Sequence, residues 1–178
     1  MLLLGAIAVG LVFGLVTGGH IGNLARIRFR WPWLILVALG IREALIVTPL
    51  SRIDGAQYLY AVALAGIVAW TIWHVGRIRG IWLVSIGAAL NLLVVAANGA
   101  HMPVAPESAG PLARHGGTIG EYTIMGSGTN LNFLGDWIRL YPFPQAYSPG
   151  DVMIAIGLAV VTFLAVRNPN PYSEMTPP

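Results

Sequence analysis

Two short stretches, Asn98-Gly99-Ala100-His101-Met102-Pro103 and Ser148-Pro149-Gly150-Asp151, begin and end the longest polar region of this chain. On either side of that region the sequence is a series of apolar runs separated by short linkers. We call residues 99–148 the long loop. Because the rest of the chain reads as helices and tight turns, chemistry or recognition is expected in this loop or directly beneath it.

The composition is that of a membrane protein. Of the 178 residues, 56% are hydrophobic and 10% are charged, whereas about a quarter of the residues of a soluble domain are charged. The ten basic residues are all arginine and give a net charge of +3 against seven acids. Many of them lie in short linkers between apolar runs, so they indicate membrane topology and not a nucleic-acid partner. The chain has no cysteine, which excludes a disulfide or a thiolate site.

Five apolar segments predict an all-α integral membrane bundle of five transmembrane helices. A helix needs roughly 17 to 25 residues to cross a bilayer core of about 30 Å. The segments comprise residues 2–22, 32–50, 57–75, 81–98 and 149–166. They form a single predicted membrane domain, residues 1–166, followed by a disordered cytoplasmic tail, residues 167–178.

Arginine placement predicts the orientation in the plasma membrane. The basic linkers, with Arg26, Arg28, Arg30, Arg77, Arg79 and Arg167, follow the first, third and fifth segments. Arginine in short loops is retained on the cytoplasmic side, so the N-terminus is expected outside, the C-terminus in the cytoplasm and the long loop outside. No basic residue precedes the first apolar run, unlike a cleaved signal, so this run is expected to be a retained span.

A charged pair, Arg42-Glu43, lies near the middle of the second segment. An arginine at mid-helix costs about 2.5–3.5 kcal/mol on insertion scales, so it is expected to have a polar partner. Asn91 in the fourth segment lies at a similar depth and is the predicted partner. The predicted binding pocket between spans two and four comprises Arg42, Glu43, Asn91, Asn98, His101 and Asp136. Two interpretations stay open, a functional site and a structural lock of helix register.

The first segment carries Ala6, Gly10, Gly14, Gly18 and Gly22 at a spacing of four. Residues four apart share one helix face, so this stripe lets another helix approach closely. Packing within the chain is the first interpretation, and contact with a second copy or a partner membrane protein is the other.

No cofactor or metal is expected from the histidine and acid positions. His20 and His74 are predicted at the same side of the membrane, as a bis-imidazole haem would require, but both lie near the interface, where histidine commonly meets headgroups. The loop residues that could bind a metal are His101, Glu107, His115, Glu121 and Asp136. They show no recognised ligand spacing, and the chain lacks a phosphate loop or a Ser/His/Asp motif.

Within the long loop, residues 103–121 are rich in Pro, Gly and Ala and predict extended chain with turns. Leu134, Trp137, Ile138 and Tyr141 follow the i, i+3, i+4, i+7 pattern of a helix. A short interfacial helix over residues 130–141 is therefore expected. Asp151 is predicted to cap the N-terminus of the last helix.

Four motifs carry a resemblance to a known family. They are Asn98-Gly99, Met102-Pro103-Val104, Leu134-Gly135-Asp136 and Ser148-Pro149-Gly150-Asp151-Val152. In these the chain resembles DUF5317, a bacterial family of small multi-spanning membrane proteins of unknown function. The resemblance implies a common architecture of the outer face and supplies no reaction. Two positions depart from the pattern, since Ala100 stands where glycine is expected and Arg139 where proline is more frequent.

The sequence thus predicts a non-catalytic membrane component that binds a lipid or a partner membrane protein through the long loop and the polar pocket. The alternative is an enzyme or carrier acting on a lipid-linked or anionic substrate at the outer leaflet. In that case Arg42 would bind the anion, and Glu43, His101 or Asp136 would transfer the proton. Asn91 and Asn98 would orient the substrate.

Overall fold

The structure is a computed structural model that describes residues 1–27, 29–47, 53, 55–113, 116–141 and 145–168. Within these ranges the long helices are α1 (Leu2–Val16), α2 (Trp33–Val47), α3 (Ala56–His74), α4 (Ile81–Ala97) and α6 (Pro149–Arg167), and a short helix, α5 (Gly110–Ala113), lies in the long loop. Each long helix coincides with one predicted apolar segment. Two of them, α3 and α6, are long and apolar enough to cross a membrane, and α1 and α4 are shorter apolar helices.

The long loop contains β-structure, so the all-α prediction is wrong for this part of the chain. Its strands are β1 (Met102–Val104), β2 (Thr118–Ile119), β3 (Tyr122–Ile124), β4 (Ile138–Arg139) and β5 (Ala146–Tyr147). β3 lies between β1, to which it is parallel, and β2, to which it is antiparallel. β4 and β5 form a separate antiparallel pair.

The predicted interfacial helix over residues 130–141 is also wrong. Only Asn132–Leu134 form a 3-10 turn, and β4 follows it. The Asp136 N–H donates to the Pro103 carbonyl at 2.8 Å and the Asp136 carbonyl accepts from the Ala105 N–H at 2.9 Å. These bonds beside β1 use the backbone groups that a helix would need. Tyr141 is consequently 99% exposed while Leu134 is buried, so the expected apolar stripe does not form.

Glycine 135 makes this pairing with β1 possible. A Cβ atom added at Gly135 would lie 2.5 Å from the Pro103 carbonyl oxygen and 2.5 Å from Met125 Cε. Both distances are far below van der Waals contact. The backbone at residue 135 can therefore approach β1 only without a side chain.

The long helices pack in the order α1, α6, α4, α3, α2, with each helix against the next. Gly10 and Gly14 of α1 face α6, because Cβ atoms there would lie 2.9 Å from Ala159 Cα and 2.9 Å from Val166 Cβ. Two of the four glycines in the predicted stripe, Gly10 and Gly14, therefore pack within the chain. Added Cβ atoms at Gly18 and Gly22 would meet no atom within 4 Å, so contact of these residues with a second copy stays a prediction.

The long loop is packed onto one end of the bundle by a hydrophobic core that includes residues of the loop, α3 and α4. This core comprises Ala56, Tyr60, Leu64, Val94, Val95, Ala100, Met102 and Leu134. A second core around Trp70, Ile81 and Val161 lies toward the other end of α3. The loop also has a small core of its own, formed by Val104, Ala109 and Leu112. The loop is thus a folded unit that is continuous with the bundle.

Replacing Gly10 by Val is expected to destabilise the protein by about 1–3 kcal/mol, because the new side chain would overlap the α6 backbone. Gly5→Val is the matched control, since Gly5 lies on the same helix and has open space around its Cβ position. Thermal unfolding in detergent measures both variants. Equal midpoints, or an effect limited to oligomeric state in size-exclusion chromatography, would contradict packing of Gly10 within the chain.

Candidate functional site

Two glycines, Gly87 and Gly150, lie where the backbones of α4 and α6 approach each other closely. A Cβ atom at Gly87 would lie 2.5 Å from the Gly150 carbonyl oxygen and 2.8 Å from the Ile154 nitrogen. The two backbones are therefore in direct contact. Because Asn91 follows Gly87 by one helical turn, this contact brings its side chain to the first turn of α6.

Asn91 binds two residues at the start of α6, Ser148 and Asp151. The Asn91 Nδ2 donates to Asp151 Oδ1 at 2.8 Å, and the Ser148 hydroxyl donates to Asn91 Oδ1 at 2.7 Å. Asn91 and Ser148 are both buried. The amide thus uses its donor and its acceptor on α6. We call Asn91, Ser148 and Asp151 the Asn91 cluster.

The same two α6 residues form a capping box. The Asp151 N–H donates to Ser148 Oγ at 2.9 Å, and the Ser148 N–H donates to Asp151 Oδ2 at 3.3 Å. The predicted capping role of Asp151 is confirmed, in the form of a reciprocal pair with Ser148 at the N-cap. Asn91 therefore ties the cap of one helix to the middle of its neighbour.

The predicted pairing of Asn91 with Arg42 stays a prediction. The side chains of Arg42 and Glu43 lie outside the part of the chain that the structure describes. Ile41, the residue before Arg42, packs against the core shared by α3, α4 and the long loop. The partners that the structure does give Asn91 come from α6.

Asn98 fastens the long loop to the end of α4. Its Nδ2 donates to the Val94 carbonyl at 2.7 Å and to the Asn130 carbonyl at 2.9 Å, and its Oδ1 accepts from the Asn130 N–H at 2.7 Å. Asn130 in turn donates from Nδ2 to the Ala97 carbonyl at 3.1 Å. We call this arrangement the Asn98 clamp. His101 stands beside it, with Nδ1 at 3.3 Å from the Asn98 carbonyl oxygen.

Asp136 is separate from the other predicted pocket residues. It is buried in the long loop and bridges to Val104 at one edge of β1. A second buried acid, Glu121, precedes β3, and its carbonyl accepts from the Met102 N–H at 2.6 Å. The four predicted residues with described side chains therefore occupy three places: the Asn91 cluster, the end of α4 with Asn98 and His101, and the loop sheet.

Sequence reasoning missed Ser148 and Asn130 as members of these polar groups. The signal for Ser148 is present, because Ser148-Pro149-Gly150-Asp151 has the spacing of a capping box. Asn130 has no such signal, since it meets Asn98 across 32 positions of the chain. Ala100 has a φ of +70°, which explains why glycine is expected at this position.

Both ring nitrogens of the fully buried His74 make contacts within the protein. Nδ1 lies 2.8 Å from the Trp70 carbonyl oxygen, and Nε2 accepts from the Arg30 N–H at 3.2 Å. Among the described residues, which exclude His115, no group of three His, Asp or Glu side chains could hold a metal ion.

The model of a family of unknown function, DUF5317, matches residues 26–163. The matched range contains α2, α3, α4, the long loop and most of α6, and so includes both the Asn91 cluster and the Asn98 clamp. No curated protein and no solved structure matches the chain.

Removal of the Asn91 amide is expected to leave polar groups of Ser148 and Asp151 unsatisfied between two helices. We expect Asn91→Ala to cost about 1–3 kcal/mol. In a double-mutant cycle with Ser148→Ala the two losses should not add, with a coupling energy of about 0.5–3 kcal/mol. Thermal or denaturant unfolding in detergent measures both quantities.

Ser85→Ala is the matched control for the serine substitution. Ser85 is a buried serine of α4 whose hydroxyl donates to the Ile81 carbonyl of its own helix at 3.2 Å. Its loss is expected to change stability little and to be additive with Asn91→Ala. A coupling as large for Ser85 as for Ser148 would contradict a specific tie between Asn91 and α6.

Proposed function

Because the chain belongs to the family of unknown function DUF5317, which is described without an activity, we propose a function from its geometry. The protein is a non-catalytic component of the plasma membrane that spans the bilayer five times. Its long loop lies outside and binds a partner membrane protein or a lipid.

The exposed apolar side chains of the five long helices carry the proposal. Each helix has large hydrophobic residues on the surface of the bundle, among them Phe13, Leu36, Val62, Leu93 and Ile156. A soluble bundle would bury such faces and present polar residues to water. Hydrocarbon chains solvate these side chains and require the backbone to be hydrogen-bonded internally, as it is in a helix.

Helix lengths are compatible with this placement. The 19 residues of α3 and of α6 extend about 28 Å at 1.5 Å per residue, close to the bilayer core of about 30 Å. The 17 residues of α4 extend about 25 Å. The shorter α1 and α2, with 15 residues each, would span with local thinning of the bilayer or with the help of their flanking residues.

Helix directions support the proposed orientation. Gly10 and Gly14 of α1 meet Ala159 and Val166 of α6, so α1 and α6 run parallel. Gly80 and Gly87, at the start and middle of α4, meet Val160 and Ile154, so α4 runs in the opposite direction. The ends of α1, α3 and α6, which the arginine-containing linkers follow, then share one side of the bundle. The long loop lies on the other side, which the positive-inside rule places outside.

The proposed binding surface consists of Phe133, Trp137 and Tyr141. All three are exposed, and the Trp137 Nε1 donates to the Phe133 carbonyl at 3.0 Å, which fixes the two residues relative to each other. Exposed aromatic side chains are enriched where proteins meet partners and where they meet the lipid interface. The Asn98 clamp holds this segment to α4, so the surface is pre-organised.

A non-catalytic role agrees with the separation of Asn91, His101 and Asp136 into different places. The Asn91 amide is used by Ser148 and Asp151. The alternative of an enzyme or carrier at the outer leaflet depends on Arg42 and Glu43, and it stays a prediction without a structural observation in its favour.

Single cysteines test the orientation, because the chain has none of its own. Glu107→Cys in the long loop is expected to react with a membrane-impermeant maleimide on intact cells. His20→Cys, after α1, is expected to react only when the membrane is permeabilised. Both native residues are exposed, so access is comparable. Labelling of both sites in intact cells would contradict the proposed five spans.

Replacing Phe133 and Trp137 by Ala is expected to reduce a co-purified partner protein or enriched lipid by about tenfold or more, as for interface hot spots. Purification in mild detergent followed by mass spectrometry identifies which class is retained. Trp82→Ala is the control, since Trp82 is 51% exposed against 50% for Trp137 but lies at the start of α4. Equal retention by all variants would contradict binding through this surface.

A further inference from the structure

The end of the bundle opposite the long loop carries a second exposed surface of different chemistry. Two of its residues, Arg30 and Trp31, lie just before α2, and Trp33 is the first residue of that helix. Trp73 lies in the last turn of α3, and Arg77 follows the helix. All five side chains are exposed. We call them the arginine–tryptophan patch.

The backbones of both arginines are hydrogen-bonded to His74, that of Arg30 through the ring and that of Arg77 through the main chain. The Arg30 N–H donates to His74 Nε2 at 3.2 Å, and the Arg30 carbonyl accepts from Trp70 Nε1 at 2.9 Å. The Arg77 N–H donates to the His74 carbonyl at 2.9 Å. Since Nε2 accepts, His74 is the neutral tautomer with its proton on Nδ1, which donates to Trp70. These hydrogen bonds are made by the main chains of Arg30 and Arg77 and do not involve their guanidinium groups.

The aromatic rings of the patch form a continuous surface. Trp31 stacks on Trp33 with centroids 6.0 Å apart, and its ring meets Trp73 edge-on at 6.1 Å. Trp73 in turn packs edge-on against His74 at 5.6 Å. The Arg77 guanidinium carbon lies 5.9 Å from the centre of the Trp73 ring. One positive charge is thus positioned over this aromatic surface.

Trp31 has a strained backbone. Its φ is +54°, in the left-handed region that a bulky residue rarely adopts. Strained backbone of this kind is found preferentially at ligand-binding and other functional sites. The Trp31 ring nevertheless packs against Trp33 and Trp73, so the strained residue is part of the aromatic surface.

The two stretches of sequence that contain the patch carry basic but no acidic residues. Residues 1–42 and 55–106, which include the whole patch, contain no aspartate or glutamate. Arg26 and Arg79 lie in the same segments. The guanidinium group binds phosphate through two parallel hydrogen bonds, and tryptophan prefers the depth of lipid headgroups.

We propose that the arginine–tryptophan patch binds the phosphate of an anionic phospholipid in the inner leaflet. Arg30 and Arg77 bind the headgroup, and Trp31, Trp33 and Trp73 contact the glycerol region and the first methylenes of the chains. The proposal rests on the five-span placement proposed above. It differs from that proposal in its surface, its side of the membrane and its ligand.

The test uses the full chain in detergent, titrated with dioctanoyl phosphatidylglycerol or dioctanoyl phosphatidylcholine. Native mass spectrometry counts the bound lipids, and thermal unfolding gives the apparent affinity. The wild type is expected to bind phosphatidylglycerol about tenfold or more tighter than phosphatidylcholine, because both lipids offer a phosphate but the choline ammonium cancels the charge of the second headgroup and is repelled by the arginines. The double variant Arg30→Gln, Arg77→Gln is expected to lose this difference.

The double variant Arg139→Gln, Arg167→Gln is the matched control. It removes the same charge, and Arg167 also stands over an aromatic ring, 5.6 Å from the centre of Phe163. Binding of phosphatidylglycerol should be unchanged in this variant. The patch variant is expected to fold, because the bonds to His74 and Trp70 come from the Arg30 and Arg77 backbones.

Three results would overturn the proposal: equal wild-type binding of the two lipids, equal loss in the two double variants, or full competition by inorganic phosphate. The last result would mean that the headgroup anion alone is recognised. Flotation of the wild type with phosphatidylcholine vesicles separates this proposal from the five-span placement. A chain that integrates into those vesicles but does not distinguish the lipids refutes only the lipid site.

Discussion

The start of α6 inside the bundle is the constraint on which the rest of the structure depends. Ser148 and Asp151 lie level with Asn91, which precedes the end of α4 at Ala97 by six residues, or about 9 Å along the helix axis. The first turn of a helix has N–H groups without partners in the helix, and burying them unsatisfied is costly. The capping box provides hydrogen-bond partners in this first turn, and the Asn91 amide binds the side chains of Ser148 and Asp151. Gly87 and Gly150 allow α4 and α6 to come close enough for these contacts.

A buried helix start also determines the path of the long loop. The chain leaves α4 at Asn98, crosses the end of the bundle and must descend to Ser148, so its final strand passes beside the core with Tyr147 buried. The Asn98 clamp holds the middle of the loop, and Met102 and Leu134 join the core beneath it. The capping box, the Asn98 clamp and the hydrophobic core thus hold the long loop at three points. These contacts explain how its strands stay ordered although they are short and share few hydrogen bonds.

The helices were predictable from sequence because each apolar run is local information, and the capping role of Asp151 followed from the start of such a run. The loop strands were not, because their pairing is not local: β1 pairs with β3 across 20 positions and with Asp136 across 32. Residues 134–141 show a helical period, yet the backbone bonds of Asp136 to β1 outweigh it. The α6 partners of Asn91 were not predictable, because they depend on the close contact of Gly87 with Gly150, which sequence spacing cannot assign to a pair of helices.

The two ends of the bundle use polar residues for opposite purposes. In the Asn91 cluster, amide, hydroxyl and carboxylate bind one another, so the cluster links α4 to the start of α6. In the arginine–tryptophan patch the backbone is held by His74 and Trp70 while the charges and rings are exposed, and Trp31 is strained. The two groups therefore differ in accessibility: the side chains of Asn91 and Ser148 are buried between α4 and α6, whereas the arginines and tryptophans of the patch are exposed.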